Sequence, residues 1–337
     1  MHRLIRAVIL ILAIGKCTLS FSNNKSESKS CKDETPVVQA EQTFEVNVEH
    51  DIVYAKGLSH SSINSSDATV MPLKLDVYTP DNELENRPVF LFIHGGGFAG
   101  GTKQQGRIIE WANYYTSRGW VFISADYRLK RHKGTVPIEW LDFAEKLPKA
   151  AKVGPFLAIY PAIRDAKAAL RWVVANADVY NINTDYITVG GGSAGAITAI
   201  TMGISNPEDF RDELTFEQDP SLTTTNIDQS YQIKIIVDLW GSKAALDAME
   251  KIFSHQRFDR NDPALFIAHG TEDPTVPFIN AKELKQMYES TGAPFVYYPL
   301  EGKGHGAWGA MLDNKRLEEL AFDFIVEQQK LKVIRDN

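Results

Sequence analysis

Cysteine is nearly absent: Cys17 and Cys31 are the two among 337 residues. A pair so near the N-terminus can neither staple a small disulfide scaffold nor build a cysteine-based metal site. A basic excess is missing too. Lys and Arg number 36 against 43 Asp and Glu, a formal net charge of −7. That disfavours binding to nucleic acid, whose phosphates require a basic face. The apolar run Ala7 to Gly15 spans nine residues, short of the roughly 20 that cross a bilayer. With 44% hydrophobic and 23% charged residues, the composition is ordinary for a globular chain and excludes disordered, collagen-like and coiled-coil classes. It is long enough to bury a sizeable core.

The N-terminus has the layout of an export signal. His2, Arg3 and Arg6 precede the apolar run, and small residues at Thr18, Ser20 and Ser22 follow it. A signal h-region needs about 7–15 apolar residues. The reading is a signal peptide over 1–22 and a secreted or periplasmic protein, with no membrane span left after its removal. Lipid attachment at Cys17 is disfavoured by Lys16 beside it. Cleavage would leave Cys31 alone, without an intrachain disulfide. The stretch SFSNNKSESKSCKDE from Ser20 to Glu34 buries too little to offset its chain entropy. It predicts a flexible polar tail over 23–42 and a single folded domain over 43–337.

Within that domain, alternating patterns at Phe44–Val48 and Leu73–Val77 predict half-buried strands. Continuous apolar runs follow at 89–93, 120–124, 186–189, 233–239 and 264–268. Such runs suit central parallel strands buried on both faces. A last strand is expected near Phe295–Pro299. Helical periodicity marks 161–177, with further helices near 105–118, 194–204, 280–290 and 315–331. The alternation predicts an α/β fold with a mostly parallel sheet of about eight strands and helices on both faces. Two long mixed segments, 130–160 and 205–231, are candidates for a lid or for surface loops.

Chemistry concentrates in four segments. Gly191-Gly192-Ser193-Ala194-Gly195 lies between a strand and an apolar helix, the context of a nucleophile elbow that lifts a serine hydroxyl above the sheet. His94-Gly95-Gly96-Gly97-Phe98 directly follows a strand. The N–H groups of Gly95 and Gly96, joined by that of Ala194, form a candidate oxyanion hole. A serine nucleophile needs a base, and the base an orienting acid, expected in the chain order serine, acid, histidine. Three histidines follow Ser193: His255 in a charged stretch, His269 directly after a strand, and His305 in the loop GKGHGAW. His305 is the expected base. Asp273 in HGTEDPTVP is the expected acid, with Glu272 as the alternative. Phe98 and Trp308 are candidates for lining the substrate pocket or for ordinary packing. No metal or cofactor motif is present, and this chemistry needs none.

In order and spacing, HGGGF, DYRL, GGSAG, HGTEDPTVP and GKGHGAW resemble the α/β-hydrolase-fold carboxylesterases. The likeness is to the bacterial esterase and lipase group that includes acetylxylan and feruloyl esterases, and it covers about Leu73 to Leu331. It implies a serine esterase acting through an acyl-enzyme on a small or polymer-borne ester. Ser193 would be the nucleophile, His305 and Asp273 its partners, and Gly95, Gly96 and Ala194 the oxyanion donors. It makes Asp126 and Arg128 structural. Gly192 and Ala196 depart from the hormone-sensitive-lipase-like pattern. Missing disulfides and an Asp acid depart from the cholinesterase-like one. Two other readings stay open: a prolyl-oligopeptidase-like peptidase, although the chain has no room for a propeller, and a non-catalytic binding protein on the same fold.

Overall fold

The computed structural model describes residues 35–148 and 153–335. The expected export signal, Cys17, Cys31 and the tail as far as Glu34 lie outside the described residues. In chain order the elements are β1 (Val37–Gln39), β2 (Val46–Ser59), β3 (Thr69–Pro80), β4 (Arg87–Ile93), α1 (Gly106–Thr116), β5 (Val121–Ala125), α2 (Ile138–Glu145), α3 (Val153–Ala175), β6 (Ile182–Gly192) and α4 (Ala194–Ile204). They continue with β7 (Ile233–Leu239), α5 (Ala244–Phe253), β8 (Ala264–Gly270), α6 (Ile279–Thr291), β9 (Phe295–Leu300), the short pair β10 (Met311–Leu312) and β11 (Lys315–Arg316), α7 (Leu317–Gln329) and β12 (Lys332–Ile334).

Among the described residues the main sheet has eight strands in the order β2-β3-β5-β4-β6-β7-β8-β9. Only β3 runs against its neighbours. The central strands are apolar throughout because both faces are covered; every residue of β4, β5 and β8 is buried. One core lies between the sheet and α3 to α6. The other, rich in aromatic rings, lies under α1 and α7. Burial of this extent is the main stabilising term, at roughly 25 cal/mol per Å² of apolar surface. The parallel strands β4 to β9 all end on one edge, where their following loops gather.

Three expectations change. Val37–Gln39, placed in the flexible tail, pairs in parallel with β12, and Val38 is fully buried. Two apolar residues in a polar neighbourhood suffice when the C-terminal strand offers them a partner. Helix α3 starts eight residues before Pro161, which sits inside it. Proline removes the N–H that would bond the carbonyl at Leu157, but the helix is buried along nearly all its length, and packing outweighs that local cost. Among the described residues the long segments do not stand apart as a lid. Lys167 Nζ donates to the carbonyls of Asn206 (2.6 Å) and Asp209 (2.8 Å), and Arg164 donates to Asp219 at 2.7 Å. Phe210 packs on Tyr160 and Trp140. Segment 205–231 is thereby fastened to α3, while α2 supplies Trp140 to the core from inside 130–160.

Asp238, on β7, is fully buried. Its Oδ1 accepts the Gly241 N–H at 2.7 Å, and its Oδ2 has no hydrogen-bond partner among the described residues. Burial pushes its pKa up to about 7, against about 3.9 in an unfolded chain. Between those values the folded protein keeps a proton the unfolded chain has lost, so this group lowers stability as pH rises from about 4 to 7. Asp238→Asn is expected to lose less thermal stability than wild type between pH 5 and pH 8. Melting curves check this, and equal pH slopes would remove Asp238 from the account.

Candidate active site

The four chemical segments meet at the C-terminal edge of the sheet. Ser193 stands between β6 and α4 with φ 56° and ψ −120°. This is a strained conformation for a residue bearing a side chain. The strain is held by its N–H bond to the Leu239 carbonyl at 2.9 Å and by the helix that begins immediately after it. His305, in the loop after β9, brings Nε2 to 2.9 Å from Ser193 Oγ and Nδ1 to 2.7 Å from Asp273 Oδ2. The imidazole is 24% exposed and the Asp273 carboxylate fully buried. Residues 80 and 112 positions downstream of Ser193 in sequence thus form one hydrogen-bonded line with it.

Asp273 is itself held. Its Oδ1 accepts the N–H groups of Thr275 (2.8 Å) and Val276 (3.0 Å). Burial pushes its carboxyl up, but hydrogen bonds from His305, Val276 and Thr275 outweigh that and hold it below the usual carboxylate range. His269, buried on β8, donates from Nε2 to the Val276 carbonyl at 2.8 Å, and the same nitrogen lies 3.3 Å from Asp273 Oδ2. Burial keeps His269 below the ordinary imidazole range, so it serves as a neutral clamp on the loop that carries Asp273. Glu272 is exposed, and no hydrogen bond joins it to His305 among the described residues. His255 lies elsewhere, beside Asp209 and Arg257.

The loop after β4 folds against the serine. A methyl group built on Gly95 would lie 2.7 Å from the Gly192 carbonyl oxygen and 3.5 Å from Ser193 Cβ, so only glycine allows this approach. Gly96 has φ 123°, and its carbonyl accepts from Ala99 and Gly100 at 3.1 Å each, closing the loop. The N–H groups of Gly95, Gly96 and Ala194 donate to no protein group among the described residues. His94 is buried, stacks on Tyr127 at 4.2 Å between ring centroids, and places Nδ1 2.8 Å from its neighbour's carbonyl. It fixes the loop.

Phe98 turns inward. It is 4% exposed and packs on Tyr127, so it anchors the loop from the core side. Trp308 is half-buried and packs on Trp240 at 4.9 Å. The indoles of Trp308 and Trp240 stand 3.1 and 3.3 Å from where a Gly192 side chain would begin. Trp240 also meets His305 edge-on. Arg128 is buried and holds Asp165 through Nε and Nη2, a structural role as expected. Sequence reading did not anticipate Asp165, because a lone carboxylate in a helix carries no signal of its partner.

The BD-FAE family model matches residues 75–145 and 156–257, just over half of the chain. Esterase LipC of Mycobacterium tuberculosis is 25% identical over 69% of this chain and 56% of its own length. Esterase LipQ of the same organism is 25% identical over 49% of this chain and 44% of its own. The chain therefore spans about half the length of these curated relatives. Among solved structures, Thermogutta terrifontis esterase 2 phosphoramylated by tabun is 23% identical with a TM-score of 0.56, covering 83% of this chain and 94% of that one. A truncated carbohydrate esterase from gut microbiota is 19% identical with a TM-score of 0.55, covering 88% and 100%. These structural likenesses concern the fold. With the family match and the geometry in agreement, the chain belongs to the BD-FAE family and has the α/β-hydrolase fold.

Proposed function

We propose that this protein is a serine esterase that cleaves carboxylic esters through an acyl-serine intermediate. The observation that carries the reading is the line Ser193 Oγ, His305 Nε2, His305 Nδ1, Asp273 Oδ2, with separations of 2.9 and 2.7 Å. Ser193 Oγ attacks the ester carbonyl carbon while its proton passes to His305 Nε2. The carbonyl oxygen becomes an oxyanion facing the N–H groups of Gly95, Gly96 and Ala194, each such donor typically worth about 100–1,000-fold in turnover. Collapse expels the alcohol, which takes the proton back from His305. Water then gives a proton to the same nitrogen as it attacks the acyl-serine; the bond from the acyl carbon to Ser193 Oγ breaks as His305 returns that proton to Oγ, and the acid leaves. Asp273 holds the tautomer and stabilises the imidazolium without taking the proton.

Purified protein assayed on acetyl, butyryl, octanoyl and feruloyl esters, on acetylated xylan and on aminoacyl amides tests this reading. Ester turnover with the amides untouched supports it, as does Ser193-dependent labelling by a fluorophosphonate. Absence of both overturns it and favours the binding-protein alternative. The structural neighbours include a carbohydrate esterase and an esterase bound to propionate. Together with the indoles beside Gly192 they favour a short acyl group. Trp308→Ala is then expected to raise kcat/KM for octanoyl relative to acetyl esters about tenfold or more, since an enlarged apolar wall gains roughly 0.8 kcal/mol per buried methylene. An unchanged chain-length profile would take Trp308 out of the acyl wall. The N-terminal layout supports export, which the mass of the mature protein recovered outside the cytoplasm would test.

A further inference from the structure

Asp76 lies mid-strand in β3, fully buried, where the neighbouring Leu75 and Val77 are core residues. A carboxylate in that position requires partners, and it has several. Lys103 Nζ is 2.6 Å from Asp76 Oδ1 and is itself 3% exposed. The Asp51 N–H donates to the same oxygen at 2.8 Å, delivered there by a register shift in β2 between Glu49 and Ile52. Gln104 Nε2 and His50 Nδ1 each stand 2.9 Å from Oδ2. Lys103 Nζ also reaches Asp51 at 3.0 Å. Burial alone would raise the Asp76 carboxyl, yet these donors hold it below its ordinary range.

What gives this cluster a consequence is its sequence address. Lys103 and Gln104 close the loop that begins at His94, and the Lys103 backbone N–H donates to Asp126 Oδ1 at 2.7 Å. The loop's start is fixed by β4 and by His94 stacked on Tyr127. Between those two feet lie Gly95, Gly96, Gly97, Gly100 and Gly101, which have no side chains to hold the backbone, so the loop depends on its feet, on the bonds to the Gly96 carbonyl and on the inward Phe98. Donors worth about 100–1,000-fold must be held within fractions of an ångström to keep that value.

We infer that the Asp76–Lys103 ion pair is a positioning clamp for the oxyanion loop, acting through the loop's downstream foot on the N–H groups of Gly95 and Gly96. The inference rests on the proposed serine-esterase reading. Its effect belongs to the transition state, because the ground-state carbonyl oxygen carries little charge for those donors to stabilise. A clamp of this kind lowers kcat and kcat/KM together when lost, with little change in KM.

Lys103→Met is the direct test, and the double variant Asp76→Asn/Lys103→Met removes both charges where the single change leaves a buried carboxylate too exposed to unfolding. Wild type and both variants are compared on p-nitrophenyl acetate, with a trifluoromethyl ketone as oxyanion analogue and amide hydrogen exchange across the loop. The expected result is kcat down about 10- to 100-fold with KM within threefold, ketone affinity down by the same factor as kcat, and faster exchange at Ala99 and Gly100. A folded variant, single or double, whose kcat and ketone affinity stay within threefold of wild type overturns the clamp while leaving the esterase reading intact. If Ser193→Ala retains wild-type turnover, the esterase reading falls and the clamp with it.

Discussion

Ser193→Ala is expected to lower kcat on a short ester by about 10⁶-fold, the loss typical when the nucleophile of such a triad is removed. The argument is geometric. Ser193 Oγ is the atom 2.9 Å from His305 Nε2, and no other hydroxyl is hydrogen-bonded to that nitrogen among the described residues. Alanine keeps the Cβ that the φ of 56° already accommodates, so the elbow, the helix start and the loop after β4 should all persist. A residual rate about 10³–10⁴-fold above the uncatalysed reaction can survive on oxyanion donors and binding alone. The measurement is steady-state turnover on p-nitrophenyl acetate, with melting temperature as the control for folding. Activity within 100-fold of wild type in a folded variant would mean that another nucleophile does the work.

Much of this arrangement is legible in the sequence. The strands β4, β5, β7 and β8 announce themselves because a strand covered on both faces must be apolar at every position. Helix α4 begins and ends where periodicity placed it. Ser193, Asp273 and His305 could be named because each occupies the loop after a recognisable strand, and strands of one direction deliver their loops to one edge. Other features were illegible for physical reasons. Helix α3 runs through Pro161 because tertiary burial overrides a local rule. Strand β1 is too short to show a period and exists through its pairing with β12. The partners of Asp76 and Arg128 come from segments separated by tens of residues. Phe98 follows three glycines, a context that leaves pocket lining and packing equally open, and its contact with Tyr127 holds it inward.

The second large effect concerns the proposed acid. Asp273→Asn is expected to reduce kcat about 10⁴-fold while KM changes little and the variant stays folded. Asparagine keeps a carbonyl oxygen that can accept the N–H groups of Thr275 and Val276, so the loop geometry need not move. What changes is the atom facing His305. An amide NH₂ opposite Nδ1 turns that nitrogen into an acceptor and leaves the proton on Nε2, where it blocks acceptance of the serine proton. The ionised state of Asp273 also sets a pH window. Its folded pKa is depressed, so its contribution to stability is fully present above about 3.9, the unfolded value, and is lost as pH falls through the folded value. Wild type should therefore lose melting temperature more steeply than Asp273→Asn as pH falls below about 4. Glu272, one position away and exposed, provides the internal comparison: Glu272→Gln should keep kcat within about threefold of wild type. If Asp273→Asn stays within tenfold of wild type and Glu272→Gln does not, the acid has been assigned to the wrong carboxylate and His305 must rotate to meet its neighbour.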